Sequence, residues 1–126
     1  MYYHTVKQIK QGKFDVLISW GYDDTPLDML FDDTCHDIQE MARKIDSGLL
    51  DYFVARVQFF YSGVEVGSSY LGGCLYEDVN QAFEDGLDGY LEDMIQEAEA
   101  EAIAYVGELI SNLQKDFPNV INGVKV

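Results

Sequence analysis

The stretch from Leu50 to Asp78, LDYFVARVQFFYSGVEVGSSYLGGCLYED, leaves the folding chain the fewest options. Phe53, Ala55, Val57 and Phe59 alternate with Tyr52, Val54, Arg56 and Gln58, the period-2 pattern of a strand with one buried face. Ser62-Gly63 breaks the run, and glycine tolerates the positive φ that a reversing hairpin needs. Val64, Val66, Ser68 and Tyr70 then resume the alternation, so the segment predicts an antiparallel hairpin. Gly67, Gly72 and Gly73 weaken the return strand and predict a bulge or a close backbone approach. A phosphate-cradling loop is the other use of such glycines. It fails here on chemistry: no Lys or Arg stands near them in the sequence, Glu77 and Asp78 would repel the ligand, and the phosphate-loop spacing is absent.

The flanking segments complete an architecture. Residues 2 to 11, with Tyr3, Thr5 and Ile9 among Lys and Gln, have an edge-strand composition. Gln11-Gly12-Lys13 reads as a tight turn, and Phe14, Val16, Ile18, Trp20 and Tyr22 form a clean period-2 face. Asp23-Asp24-Thr25-Pro26 ends that strand, because proline lacks the donor a continuing ladder needs. Leu27 to Asp33 has room for a single helical turn. Thr34, with Asp37 three residues on as a partial capping box, predicts the start of a helix carried by Ile38, Met41, Ala42, Ile45 and Leu49 and stopped by Gly48. After the hairpin, Asp78 is an N-cap, and Gly86 and Gly89 interrupt the helix that follows. From Leu91 to Leu113, Met94, Ile95, Ala98, Ala102, Tyr105, Val106, Leu109 and Ile110 share one apolar face, predicted to be buried, and that helix ends near Lys115 and Pro118. The tail NVINGVKV suits either a closing strand or irregular chain. The expectation is one α+β domain over residues 1–126: an antiparallel sheet of about four strands in the order ββαββα, with helices packed on one face.

Several stretches, Asp46-Ser47-Gly48, Asp51-Tyr52-Phe53, Gly63-Val64-Glu65-Val66-Gly67 and Tyr70-Leu71-Gly72-Gly73-Cys74, give the chain a likeness over residues 36 to 104. In these it resembles a group of small acidic proteins of phages and mobile elements. The resemblance implies a host-takeover or counter-defence setting, of the anti-restriction or anti-CRISPR kind, and transfers no catalytic residue.

Charge narrows the choice of partner. Twenty-three Asp and Glu against eight Lys and Arg give a formal net charge of −15. From Val57 to Gln114 there is no Lys or Arg in 58 residues, while twelve Asp and Glu fall there. This argues against direct contact with nucleic acid or anionic membranes, both of which select basic patches, and favours a basic protein surface or a cation. Nine Tyr, seven Phe and a 48% apolar content exclude a disordered acidic tail. Two cysteines without CxxC spacing, and an N-terminal MYYHTVKQIK with no apolar core, predict a reduced, cytoplasmic setting, that of a bacterial host.

The acids are patterned. Asp93, Glu97, Glu101 and Glu108 fall on one stripe of the last helix, and Asp85, Asp88, Glu92 and Glu99 form a second stripe beside it. The i,i+4 pairs Glu84–Asp88, Asp88–Glu92, Asp93–Glu97 and Glu97–Glu101 are like-charged, each costing about 0.2–0.5 kcal/mol. A solvated helix face usually interleaves Lys with Glu, so stability does not account for the pattern. Duplex DNA carries about one negative charge per 1.7 Å of axis. Carboxylates on successive helical turns, about 5.4 Å apart, approach the spacing along one phosphate strand. Asp85, Asp88, Glu92, Asp93, Glu97, Glu99 and Glu101 are therefore the candidate partner-binding residues of a DNA mimic that occupies the nucleic-acid site of a defence nuclease or effector complex, whether CRISPR effector or restriction enzyme.

Three other readings compete. Generic acidity for solubility, or for an acidic scaffold without inhibitory action, needs no specific site. The acids from Asp23 to Asp33 suggest a Ca²⁺ or Mg²⁺ site, but lack the EF-hand order. Cys35-His36 is too short for a zinc half-site, and only His4 and Cys74 stand elsewhere to complete it. No carboxylate pair or Cys–His arrangement has the spacing of a catalytic constellation, so neither catalysis nor a cofactor is expected. Arg56 is expected in a structural ion pair, and Trp20, Phe14 and Phe59 in the core.

Overall fold

The computed structural model describes residues 2–34 and 36–123. The hairpin appears where the alternation places it, as β3 (Asp51–Tyr61) and β4 (Val64–Tyr76), with Ser62 and Gly63 both at positive φ in the turn. Ahead of it, β1 (Tyr3–Gln11) and β2 (Phe14–Tyr22) make a second hairpin. The four strands form one antiparallel sheet in the order β1-β2-β3-β4. The register sets Val16 opposite Phe59 and Ile18 opposite Val57. These pairs define the face that the helices cover: Val16, Ile18, Phe53, Ala55, Val57 and Phe59 are all buried, together with Leu87, Met94, Ala98 and Ala102 from the helical layer. The fold is α+β, with helices packed against a four-stranded antiparallel sheet.

Between β2 and β3 the chain makes α1 (Leu27–Leu30) and α2 (Ile38–Asp46). The N-cap of α2 is Asp37, not Thr34: its carboxylate accepts the Glu40 amide at 3.1 Å. An aspartate placed directly before the apolar run satisfies the orphan amide itself, so no capping box from Thr34 is needed. The connection is tied back by Asp23. Its amide donates to the Tyr52 carbonyl (3.1 Å), and its two carboxylate oxygens accept the amides of Thr25 (2.9 Å) and Gly73 (2.8 Å). Tyr52 closes the loop by donating its hydroxyl to the Thr25 carbonyl at 2.9 Å.

After β4, Asp78 caps α3 (Val79–Glu84), accepting the amides of Asn80 and Gln81, and α3 buries Val79, Ala82 and Phe83. A tight 3₁₀ segment, Gly86–Gly89, then breaks the helix as the glycines predict. Within it Leu87 and Asp88 have positive φ (52° and 58°), and Leu87 is fully buried. A leucine in that region is strained by about 1–2 kcal/mol, which its complete burial offsets.

The long helix α4 (Tyr90–Asp116) follows, and α5 (Pro118–Gly123) occupies part of the tail expected to be strand or irregular; residues 124–126 of that expectation lie outside the described residues. The bulge and close approach predicted for β4 are both present: the β3–β4 register shifts between Phe59 and Phe60, and α4 crosses directly over Gly67. One expectation for α4 is overturned. Only Met94, Ala98 and Ala102 are buried, while Tyr105, Leu109 and Ile110 are 45%, 44% and 50% exposed. The 14 residues after Ala102 extend about 21 Å and contribute no buried side chain.

Candidate functional site

The acidic surface starts from how α4 is seated. Met94, Ala98 and Ala102 recur every fourth residue and face the sheet, and the small side chains of Ala98 and Ala102 let the helix backbone approach β4 at Gly67. Advancing 100° per residue, Asp93, Glu97 and Glu101 project to one flank, with Glu108 continuing the line beyond. All four are exposed. From Asp93 to Glu101 the carboxylates span about 12 Å along the helix.

The second stripe is not continuous. Asp85 caps the end of α3 and Asp88 lies in the left-handed turn, both before Gly89, the N-cap of α4. Asp85 accepts from the Gln81 side chain at 3.1 Å and Asp88 from the Tyr76 hydroxyl at 3.1 Å. Glu92 and Glu99 lie across α4 from Asp93 and Glu97, and Glu99 accepts from the side chain of Gln11 at the tip of the first hairpin. The physical reason is the chain reversal at Leu87 and Asp88, which resets the helical phase between residues 85 and 90. Glu84–Asp88 and Asp88–Glu92 are consequently not helical neighbours, and the like-charge penalty falls to the two pairs within α4, about 0.4–1 kcal/mol in all.

Among the described residues no carboxylate of either set has an ion-pair partner. Among the described residues the ion pairs are Lys10–Asp15 at 2.9 Å and Arg43–Glu40, both remote in sequence from α4. Glu92 and Asp93 gain from the positive end of the helix dipole, whereas Glu97 and Glu101 lie deeper in the helix, beyond the reach of that effect.

The aspartates before β3 do not converge. Asp23 is engaged by two backbone amides, and Asp32 accepts the Thr34 amide at 2.9 Å. Burial works to raise the pKa of Asp23, but the hydrogen bonds from Gly73 and Thr25 outweigh it and hold the carboxyl below its ordinary value. Among the described residues no three His, Cys, Asp or Glu side chains come together as a metal site. The Cys35 half of the cysteine–histidine readings lies outside the described residues. Cys74 is buried, with burial pushing its thiol up to about 11, and His4 stacks on Trp20 with ring centroids 4.5 Å apart.

Among the described residues Arg56 has no carboxylate partner, and the expected ion pair is replaced by other contacts. Its guanidinium lies 3.6 Å from the centre of the Tyr3 ring and its Nε donates to Ser19 Oγ at 3.0 Å. Cross-strand neighbours on the sheet's open face, one a tyrosine, supply a cation–π partner in place of a carboxylate. Trp20 and Phe14 are partly buried against the core and Phe59 is fully buried, close to expectation.

Comparison with protein-family models, with curated proteins and with solved structures gives no match for this chain. Among the described residues no helix is long and apolar enough to cross a membrane.

Proposed function

We propose that this chain is an acidic inhibitor of the phage or mobile-element type. In this reading it binds the nucleic-acid-binding surface of a host defence protein, a CRISPR effector or a restriction enzyme, in place of DNA. The observation that carries the reading is the flank of α4 formed by Asp93, Glu97 and Glu101: three exposed carboxylates on successive turns, with no ion-pair partner among the described residues. A basic groove would meet them with charge-assisted hydrogen bonds, and the field of a −15 chain would speed the encounter in a salt-dependent way. Asp85 and Asp88 before α4, and Glu92 and Glu99 on its other flank, are reached only by a partner that wraps the helix. The action proposed is occlusion, which needs no catalytic group and no cofactor.

The test is capture from bacterial lysate at low salt, identification of the captured protein, and competition with duplex DNA against the purified partner. Replacing Asp93, Glu97 and Glu101 by Lys leaves the exposed surface folded and should abolish capture, and DNA should displace the wild-type chain. A folded triple variant that holds the same partner undiminished ends the mimic reading.

A further inference from the structure

β1 and β4 each have a strand neighbour on one side only. β1 runs for nine residues, where strands average about five or six, and no described strand pairs with its outer side. Such an edge is a ready template for another strand. Gln11 and Phe14 close a two-residue turn, so the backbone groups of Gln11, Ile9 and Lys7 turn to β2, and those of Gln8 and Lys10 turn outward.

A groove of about 550 Å³ lies beside this edge on the helix side, where α4, seated on β4, leaves β1 uncovered. Val6 and Ile9 line it from the strand, and Phe83, Leu91 and Ile95 from the helices. Lys7 and Glu84 line it too, and neither has an ion-pair partner among the described residues.

We propose that β1 pairs with β1 of a second copy of the chain, antiparallel, about a two-fold axis at Gln8 normal to the sheet. The two four-stranded sheets then continue as one, with their helices on the same side. An isologous contact must be self-complementary, and this edge is. The outward backbone groups of Gln8 meet their own copies. Lys7 falls opposite Ile9 of the second copy, beside the groove wall that carries the second Glu84. Lysines usually keep an edge from pairing, but here the groove supplies the opposite charge. Lys10 is held by Asp15 at 2.9 Å and falls opposite the uncharged Val6 of the second copy.

Charge selects β1 over β4. Residues 1–14 hold three of the chain's eight Lys and Arg and no acid. Glu99 accepts from Gln11 on the β1 side of α4, so Glu97 and Glu101 turn the other way, over the free side of β4. Pairing two β4 edges would bring those carboxylates together in chains of net charge −15. Pairing through β1 leaves them at the far ends of the dimer, and the inference does not depend on the mimic reading.

Sedimentation equilibrium on the full chain, across the micromolar range, should report twice the 14.3 kDa chain mass. Gln8→Pro removes an outward donor while keeping the bonds to β2, and should leave a folded monomer. Lys7→Glu, at an exposed side chain, should weaken association about tenfold, and adding Glu84→Lys should restore it. Amide hydrogen exchange should slow at Gln8 and Lys10 as concentration rises, with β4 unchanged. A monomer throughout, a dimer indifferent to both Gln8→Pro and Lys7→Glu, or protection that grows along β4 instead would each overturn the proposal.

Discussion

Gly67 is the point at which the helical layer rests on the sheet, and replacing it by alanine isolates that contact. Gly67 is buried opposite Phe59 on β4, and its φ is not among the positive ones, so an alanine suits its backbone. The obstacle is α4. A Cβ at this position would lie 2.2 Å from the carbonyl oxygen of Ala98 and 2.8 Å from the amide nitrogen of Ala102. Both are backbone atoms of a hydrogen-bonded helix, so no rotamer relieves the clash and α4 must move by about 1 Å. Overpacking of this kind costs about 1–3 kcal/mol, and rigid contacts place it at the upper end. For a domain of this size that is a fall in Tm of roughly 10 °C. Gly107→Ala is the matched control: it lies in the same helix, and its Cβ would meet nothing within 4 Å. It should stabilise by about 0.5–1 kcal/mol through helix propensity and the lost freedom of the unfolded chain. Urea unfolding followed by circular dichroism then gives opposite signs for the same chemical change. Equal stabilities for the two variants would refute the close approach of α4 to β4.

Two further perturbations test the core boundary and the Asp23 tie. Ile95→Asp places a charge against the core and should destabilise by about 2–4 kcal/mol, while Leu109→Asp, at a side chain 44% exposed, should stay within about 0.5 kcal/mol of wild type; equivalent losses in thermal melts would return Leu109 to the core. Asp23→Asn removes the ionised acceptor of the Gly73 and Thr25 amides and should cost about 1 kcal/mol at neutral pH, discounted for partial exposure. Because the folded pKa of Asp23 lies below its unfolded value, this stability is present above the unfolded pKa of about 3.9 and disappears as pH falls through the folded value. The gap between wild type and Asp23→Asn should thus be constant from pH 8 to about pH 5 and close toward pH 3; a gap that widens in acid would contradict the assignment.

β2, β3 and β4 were legible because a period of 2 cannot be confused with 3.6 over eight residues, β1 was legible from its edge-strand composition, and the Ser62-Gly63 and Gly12 turns bound the two hairpins. Gly67 was legible as a close approach for a related reason, since glycine inside a strand has few other uses. The extent of burial along α4 was not legible. Periodicity identifies which residues share a helix face, but not how far the opposing sheet reaches, and nothing in the residue types separates Ala102 from Tyr105 as the last covered position. A finer signal was present: the 3-4 spacing that begins at Ile103 follows a different face from the Met94–Ala98–Ala102 stripe. The second acidic stripe failed because all four residues from Gly86 to Gly89 take positive φ: the two glycines mark the interruption in the sequence, but nothing marks the left-handed Leu87 and Asp88 between them, and that reversal puts Asp85 and Asp88 out of phase with Glu92. Arg56 was misassigned because a strand neighbour two positions away in space, Tyr3, lies 53 residues away in sequence.

Binding through Asp93, Glu97 and Glu101 draws on unscreened attraction to a basic groove, which weakens as the Debye length falls from about 10 Å at 0.1 M to about 3 Å at 1 M. A contact made instead by the exposed apolar side chains in the second half of α4, Leu109 and Ile110 among them, gains from burial, which salt does not screen. Raising ionic strength should therefore loosen the complex if the acidic flank makes the contact, and leave it unchanged if the apolar half does. Following capture over one salt series thus separates the two halves of α4 as the partner surface without any substitution that risks the fold, and a complex that survives 1 M salt undiminished would refute the acidic-flank reading.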